Sequence, residues 1–288
     1  MELFDLHCDT LYRVYTEKSP ELSITPEKAN VLDKYSQLMA VFIPDNIRGE
    51  KAFEFFKNCA DIYKNNYLVL NNSRINFMLS VENGSVIGGD LRKIKLLKEY
   101  GVKSVTLVYN EDNELGSGAL SNSKFGLTSI GKLAVKALNE NKIIIDLSHS
   151  SSRTFYDVAE ISESPIIATH SNSCSLCPHK RNLTDEQFEI IRKSGGVVGV
   201  NFYPPFLNTD PSNASFYDVI KHIYHFLSLG GEDTVSIGSD FDGCETIKEL
   251  DSLDKISVLY ESLLKHRINE QVVQKIMYYN AHNFFSRF

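Results

Sequence analysis

Eight short apolar runs, set between stretches of helical periodicity and polar loops, constrain this 288-residue chain more than any other feature. They cover residues 3–7, 37–43, 76–81, 104–108, 143–147, 165–169, 197–202 and 234–237. Runs such as IIIDL at 143–147 and PIIAT at 165–169 are apolar almost throughout rather than alternating. Strands buried on both faces, as in a parallel sheet covered by helices, read this way. Helical spacing recurs at 51–64, 91–99, 128–139, 216–229, 254–265 and 269–279. Thr184 and Gln187 form a capping-box pattern ahead of Phe188 and Ile191, which predicts a further helix start. Strands alternating with helices predict a (β/α)8 barrel of the TIM type, for which about 250 residues suffice. A doubly wound open sheet is the alternative, but no GxGxxG follows the first run. No linker or internal repeat interrupts the pattern, so a single catalytic domain over 1–288 is expected.

Composition removes several function classes. The net charge is −7 with Lys and Arg scattered, so no nucleic-acid partner is expected. The start, MELFDLHCDT, has no basic segment followed by an apolar core, and no run reaches the ~18 apolar residues of a membrane span. A cytoplasmic protein without membrane attachment is the expectation. Five cysteines, Cys8, Cys59, Cys174, Cys177 and Cys244, are too few and too uneven for a disulfide framework. The lone CxxC at 174–177 lacks the second pair a structural zinc site needs.

The chemistry-bearing residues fall at the carboxyl ends of the predicted strands, the face on which an α/β barrel carries its active site. His7 and Asp9 are two apart at the end of the first run and project to the same side. An imidazole and a carboxylate so placed can reach one cation, although a buried histidine beside a capping aspartate reads the same way. Glu82 ends the third run, and its two oxygens could join two ions; a salt-bridged strand end is the plainer reading. His149 and His170 follow the fifth and sixth runs and so lie on neighbouring strands. Each alone could be a satisfied core histidine. Asp240 follows the eighth run, while Asp242-Gly243 reads as a turn. The ordinary explanations would have to coincide repeatedly on one rim, and that coincidence favours a metal centre. Tyr203 and Phe206 follow the seventh run on the same rim, and His179 lies in a loop that should border the site. His222, His225, His266 and His282 have no rim position and read as packing or solvated residues.

These motifs, taken in order, resemble the membrane dipeptidase (renal dipeptidase) family of zinc peptidases, especially its shorter bacterial members. The resemblance covers essentially the whole chain. It rests on HCD, VENG, TLVYNEDNELGSG through GLTSIG, IIDLSHSS, ATHSNS with KRNLTDE, VVGVNFYPPF and IGSDFDG. It implies two Zn(2+) per chain: His7 and Asp9 on the first, Glu82 bridging to the second, and His149 and His170 completing it. Arg181 occupies the position of an arginine that grips the substrate carboxylate, a task suited to a planar guanidinium. Asp240 matches the catalytic aspartate. Longer members carry a histidine after strand four that helps polarise the scissile carbonyl. Here that position is Tyr109, whose phenol can donate a hydrogen bond but carries no imidazolium charge, with Asn110 beside it.

The reaction expected is metal-assisted amide hydrolysis of dipeptides, with or without a D-residue at the second position. A water bridging the two ions would be deprotonated, and Asp240 would shuttle the proton to the leaving amine. The partners expected are a small dipeptide substrate and, for assembly, a second copy of the chain in a homodimer. Two rivals remain: another two-metal barrel hydrolase acting on cyclic amides or esters, and a metal-bound pseudoenzyme that binds dipeptides without turnover. Against the first, related barrels usually open with HxH rather than the HxD found here.

Overall fold

Each of the eight apolar runs forms a strand in the computed structural model, which describes residues 1–288. The strands are β1 (Glu2–Cys8), β2 (Lys34–Phe42), β3 (Ile75–Glu82), β4 (Val102–Thr106), β5 (Ile144–Asp146), β6 (Ile166–Ile167), β7 (Val198–Val200) and β8 (Val235–Ile237). All neighbours pair in parallel, in the order β6-β5-β4-β3-β2-β1-β8-β7. A parallel bridge from Ala168 to Val198 joins the two outer strands, so the sheet curls into a barrel without free edges.

The helices are α1 (Thr10–Thr16), α2 (Gly49–Ile62), α3 (Arg92–Glu99), α4 (Ser129–Glu140), α5 (Ser152–Ile161), α6 (Asp185–Ser194), α7 (Pro204–Leu207), α8 (Phe216–Ser228), α9 (Ser257–Lys265), α10 (Glu270–Gln274) and α11 (Asn280–Phe285). The expected capping box is present at α6, where Thr184 accepts from the Gln187 N–H and Gln187 returns the bond. Helices α1 and α5 were not expected from periodicity. α1 has only seven residues and buries just Thr10 and Leu11. α5 buries Thr154, Phe155 and Val158, a stripe too narrow to stand out in SSRTFYDVAE.

Two apolar layers hold the barrel. The larger packs the helices onto the outside of the strands. The smaller fills the amino-terminal mouth, where Phe4 and Leu6 of β1, Leu38 of β2 and Ile167 of β6 meet Phe284 and Phe285 of α11. Burying each such side chain contributes about 1.5–3 kcal/mol, so α11 plugs the barrel interior at this end, opposite the carboxyl-terminal mouth.

That opposite half is tight at β6–β8. A Cβ on Gly199 would stand 2.0 Å from the Thr169 carbonyl oxygen and 2.9 Å from the Gly238 Cα. Backbone has no rotamer with which to yield, so Gly199→Ala must displace a strand. Such overpacking costs about 1–3 kcal/mol, and a thermal melt should show the midpoint lowered by several degrees.

Candidate metal centre and active site

The residues that follow five of the strands obey one spacing. Tyr109, His149, His170, Tyr203 and Asp240 each stand three positions beyond the last residue of β4, β5, β6, β7 and β8. His7 lies within β1, Asp9 just past it, and Glu82 is the last residue of β3. Turns placed immediately after short strands therefore bring all these side chains to one mouth. Two of the turns are strained: His149 has φ 67° and Asp240 φ 65°. A left-handed backbone at a non-glycine residue persists only where surrounding contacts enforce it, and such residues cluster at functional sites.

The side chains converge on Glu82. Its Oε1 lies 2.9 Å from His149 Nε2, 3.4 Å from His170 Nε2 and 3.8 Å from His7 Nε2. His7 Nε2 is in turn 3.5 Å from Asp9 Oδ2 and 3.9 Å from Asp240 Oδ1. Ligands at about 2.0–2.1 Å around a tetrahedral ion stand roughly 3.4 Å apart, a spacing that these separations bracket. His7, Glu82 and His170 lie close enough to share an ion, and so do His7, Asp9 and Asp240; His7 is common to both groups and has one Nε2 lone pair, so it can serve only one ion at a time.

Three observations test the fit of a metal. His7 Nε2 and Asp9 Oδ1 are buried without any hydrogen-bond partner, a costly state unless a cation completes it. A Cβ on Gly243 would meet Asp9 Oδ2 at 2.1 Å and Asp240 Oδ1 at 2.7 Å, so a glycine keeps this space open. The electrostatics of the metal-free cluster agree. Burial pushes the Glu82 carboxyl well above its usual range, and Asp9 and Asp240 add repulsion that His7 only partly offsets. Burial likewise raises Asp9. Burial, with Arg181 and His7 nearby, drives His149 and His170 well below their usual value, leaving the neutral imidazoles that metals bind. His7 differs: burial depresses it, but Glu82 and Asp9 outweigh that and lift it to about 10. Crowded buried acids beside two neutral histidines are what a multivalent cation would stabilise, and a cation would also displace the second proton of His7.

Beside the cluster lies a cavity of about 290 Å³ whose walls include Tyr109, Asn110, His179, Arg181, Tyr203 and Phe206. A second cavity, walled by Tyr12, Arg13, Phe42 and Glu245, shares Asp9, Glu82, Tyr109, Gly243 and Cys244 with the first. The acids are thus reached from two lobes, with Tyr109 between them. The first lobe is at the small end of the ~300–1,000 Å³ of ligand pockets, a size for a short substrate.

Arg181 is buried, and its guanidinium carbon lies 5.3 Å over the Phe206 ring. Nη2 donates to His170 Nε2 at 2.9 Å, while Nε has no partner. Nη2 and a metal ion would compete for the same lone pair, so metal binding at His170 frees that donor. The Tyr109 ring packs between Phe42 and His149, with centroid separations of 4.6 and 4.4 Å. Burial and the surrounding carboxylates push its phenol upward, so it stays protonated and able to donate. Asp240 Oδ2 accepts from Asn201 Nδ2 at 3.0 Å, and Asn201 Oδ1 accepts from the Tyr203 N–H at 2.6 Å. His179 Nδ1 accepts from the Arg181 N–H and its ring lies 4.6 Å from Phe206, which ties it to the substrate lobe.

Several contributors were not singled out from the sequence. Asn201 is an asparagine inside an apolar strand run, a signal that could have flagged it. Leu120 and Cys244 line the first lobe and carry no such mark. Asp242 keeps its turn conformation, with φ 66°, and also accepts from Thr10 Oγ1 and the Ser23 N–H. His222 is a satisfied core residue, its Nδ1 accepting from the Ser173 N–H and its Nε2 donating to the Leu207 carbonyl. His225 pairs with Asp185. The cysteines of the CxxC are free, and Cys177 donates to the Pro205 carbonyl. No helix is long and apolar enough to cross a membrane.

Comparison with known proteins places this site in a family. A profile of the membrane dipeptidase family, peptidase family M19, matches residues 1–287. An uncharacterized protein from the pqqA 5′ region of Klebsiella pneumoniae is 36% identical over 69% of this chain and 77% of its own length. An uncharacterized dipeptidase of Schizosaccharomyces pombe is 32% identical over 70% of this chain, a match that spans half of the fungal protein. Among solved structures, dipeptidase AC, a family M19 metallopeptidase, is 25% identical with a TM-score of 0.91, covering 100% of this chain and 98% of its own. A Rhodobacter sphaeroides metallopeptidase, liganded with a phosphinate mimic of the dipeptide L-Ala-D-Ala, has the same fold at 24% identity and a TM-score of 0.87, with 100% and 99% of the two chains covered. Barrel, rim of acids and histidines, and full-length profile agree: the chain belongs to the membrane dipeptidase family of metallopeptidases, hydrolases of the peptide bond.

Proposed function

We propose that this protein is a two-zinc dipeptidase. The observation that carries the reading is the convergence of three histidine Nε2 atoms on the single oxygen Glu82 Oε1, with Asp9 and Asp240 beside them. His7 and Asp9 would hold one ion and His149 and His170 the other, with Glu82 shared between them. Bound there, the ions would supply an electrophile for the scissile carbonyl and lower the pKa of the attacking water.

The chain's own residues do the rest. Arg181 receives the free carboxylate of the substrate's second residue, its buried guanidinium offering paired N–H donors. That contact, in a cavity of about 290 Å³, limits the substrate to two residues. Asp240 takes the proton of the attacking water and returns it to the leaving amine, the double role of a carboxylate poised beside the reacting centre. Tyr109 donates its phenolic proton toward the carbonyl oxygen, and Tyr203 lines the wall that receives the substrate side chain. A C-terminal D-residue is included in the substrate class, in line with the mimic bound by the Rhodobacter relative.

Arg181→Met gives a direct test of the carboxylate contact. Removing one partner of a buried charged pair costs about 2–5 kcal/mol, so kcat/KM for free dipeptides should fall at least ~30-fold. Dipeptide amides, which lack the carboxylate, should be turned over equally poorly by wild type and variant. The reading as a whole is tested by amine release from L,L- and L,D-dipeptides, with N-acetyl dipeptides, tripeptides and a lactone alongside. Hydrolysis confined to dipeptides supports it. Intact dipeptides with cleavage of the lactone would replace it with the rival hydrolase.

A further inference from the structure

We propose that Thr169, held by the buried Asp146, is a single positioning residue for both metal sites. The inference rests on the two-zinc reading above and adds a residue that touches neither ion.

Asp146 is buried under the site and its Oδ2 accepts from Thr169 Oγ1 at 2.6 Å and from Thr106 Oγ1 at 2.7 Å. Its Oδ1 accepts the backbone N–H groups of Ser148 and Thr169, both at 3.0 Å. Those four bonds fix the turns after β5 and β6, from which His149 and His170 project. They also commit the only hydroxyl proton of Thr169 to the carboxylate, because a charged acceptor at 2.6 Å outcompetes a neutral one. What remains on Thr169 Oγ1 is lone pairs.

Two imidazoles face them. His170 Nδ1 lies 2.9 Å from Thr169 Oγ1 and His7 Nδ1 lies 3.3 Å from it. Ser148 Oγ is also 3.3 Å away and accepts from the His170 N–H. An oxygen that has spent its proton can only accept, so both histidines must present Nδ1–H. With a metal ion in place of any second ring proton, their lone pairs are therefore on Nε2, and both Nε2 atoms face Glu82 Oε1. His7 belongs to one proposed ion and His170 to the other, so one hydroxyl sets the tautomer and ring plane at both. His149 is held separately: Asn110 Oδ1 lies 2.9 Å from its Nδ1. Groups that orient a ligand in this way typically change metal affinity by about 10–100-fold.

The test is zinc affinity rather than turnover. Wild type, Thr169→Val and Thr169→Ser are titrated with zinc against a chromophoric chelator, and folding is checked by circular dichroism. Thr169→Val should weaken both sites by about 10–100-fold, more at the site of His170, whose bond is the shorter. Thr169→Ser, which keeps the hydroxyl, should restore both. A folded Thr169→Val that binds two ions as tightly as wild type, or that loses only one site, overturns the inference. A wild type that binds a single ion overturns the two-zinc reading and this inference with it. Should Thr169→Val fail to fold, ¹⁵N-histidine NMR of the zinc-loaded wild type decides. Protonated Nδ1 with ligated Nε2 on His7 and His170 supports the proposal, and the reverse tautomer on either overturns it.

Discussion

Glu82→Gln is expected to abolish tight zinc binding and to lower dipeptide hydrolysis by about 10³-fold or more, a loss on the scale of removing a preorganised charge from an active site. Glutamine keeps the shape of the side chain but not the charge that two cations would share. The same change should move stability in opposite directions with and without metal. In the metal-free protein, burial holds the Glu82 carboxyl well above its ordinary range. A carboxyl so raised stabilises the fold fully only below its unfolded value of about 4.3, and that contribution is lost as pH rises through the folded value. Above the unfolded value, burying this carboxyl in the empty site therefore costs stability, and glutamine removes that cost. Metal-free Glu82→Gln should melt above metal-free wild type, whereas with excess zinc the wild type should melt above the variant. Melts in chelator and in zinc, with metal analysis, check both signs. A variant that is destabilised in both conditions would make Glu82 a structural residue instead.

Asp240→Asn is expected to separate chemistry from metal binding. The carboxylate sits 3.9 Å from His7 Nε2, faces the substrate lobe, and has one oxygen held by Asn201. A group in that position can relay a proton without being needed to hold an ion. Loss of a positioned general base and acid costs about 10²–10⁴-fold in kcat. KM and zinc content should change little, because the amide keeps the volume and one acceptor oxygen. Loss of an ion in this variant would make Asp240 a ligand, an arrangement its grouping with His7 and Asp9 also permits.

Most of the barrel was legible because parallel strands buried on both faces leave continuous apolar runs, and all eight were placed within a few residues of their bounds. What shifted was length. The expected strand at 165–169 is reduced to Ile166–Ile167, with Ala168 in a lone bridge, because the chain must turn early to aim His170 inward. α1 escaped notice because a seven-residue helix has too little periodicity to detect. The shared spacing of three residues from strand end to site residue depends on where each strand stops, which periodicity alone does not fix. The site acids and histidines stood out as chemically unusual groups at strand ends. The residues that orient them did not. Thr169, Asp146 and Asn201 are ordinary in sequence, and their roles exist only through contacts between turns that follow different strands.

The most direct test of the two-metal account is the hydrolysis rate of one dipeptide as the metal-free protein is titrated with zinc. Negligible hydrolysis is expected without metal, with a rate that rises to a plateau at about two ions per chain. A full rate in the presence of excess chelator, or a plateau reached with one ion and unaffected by a second, would contradict it.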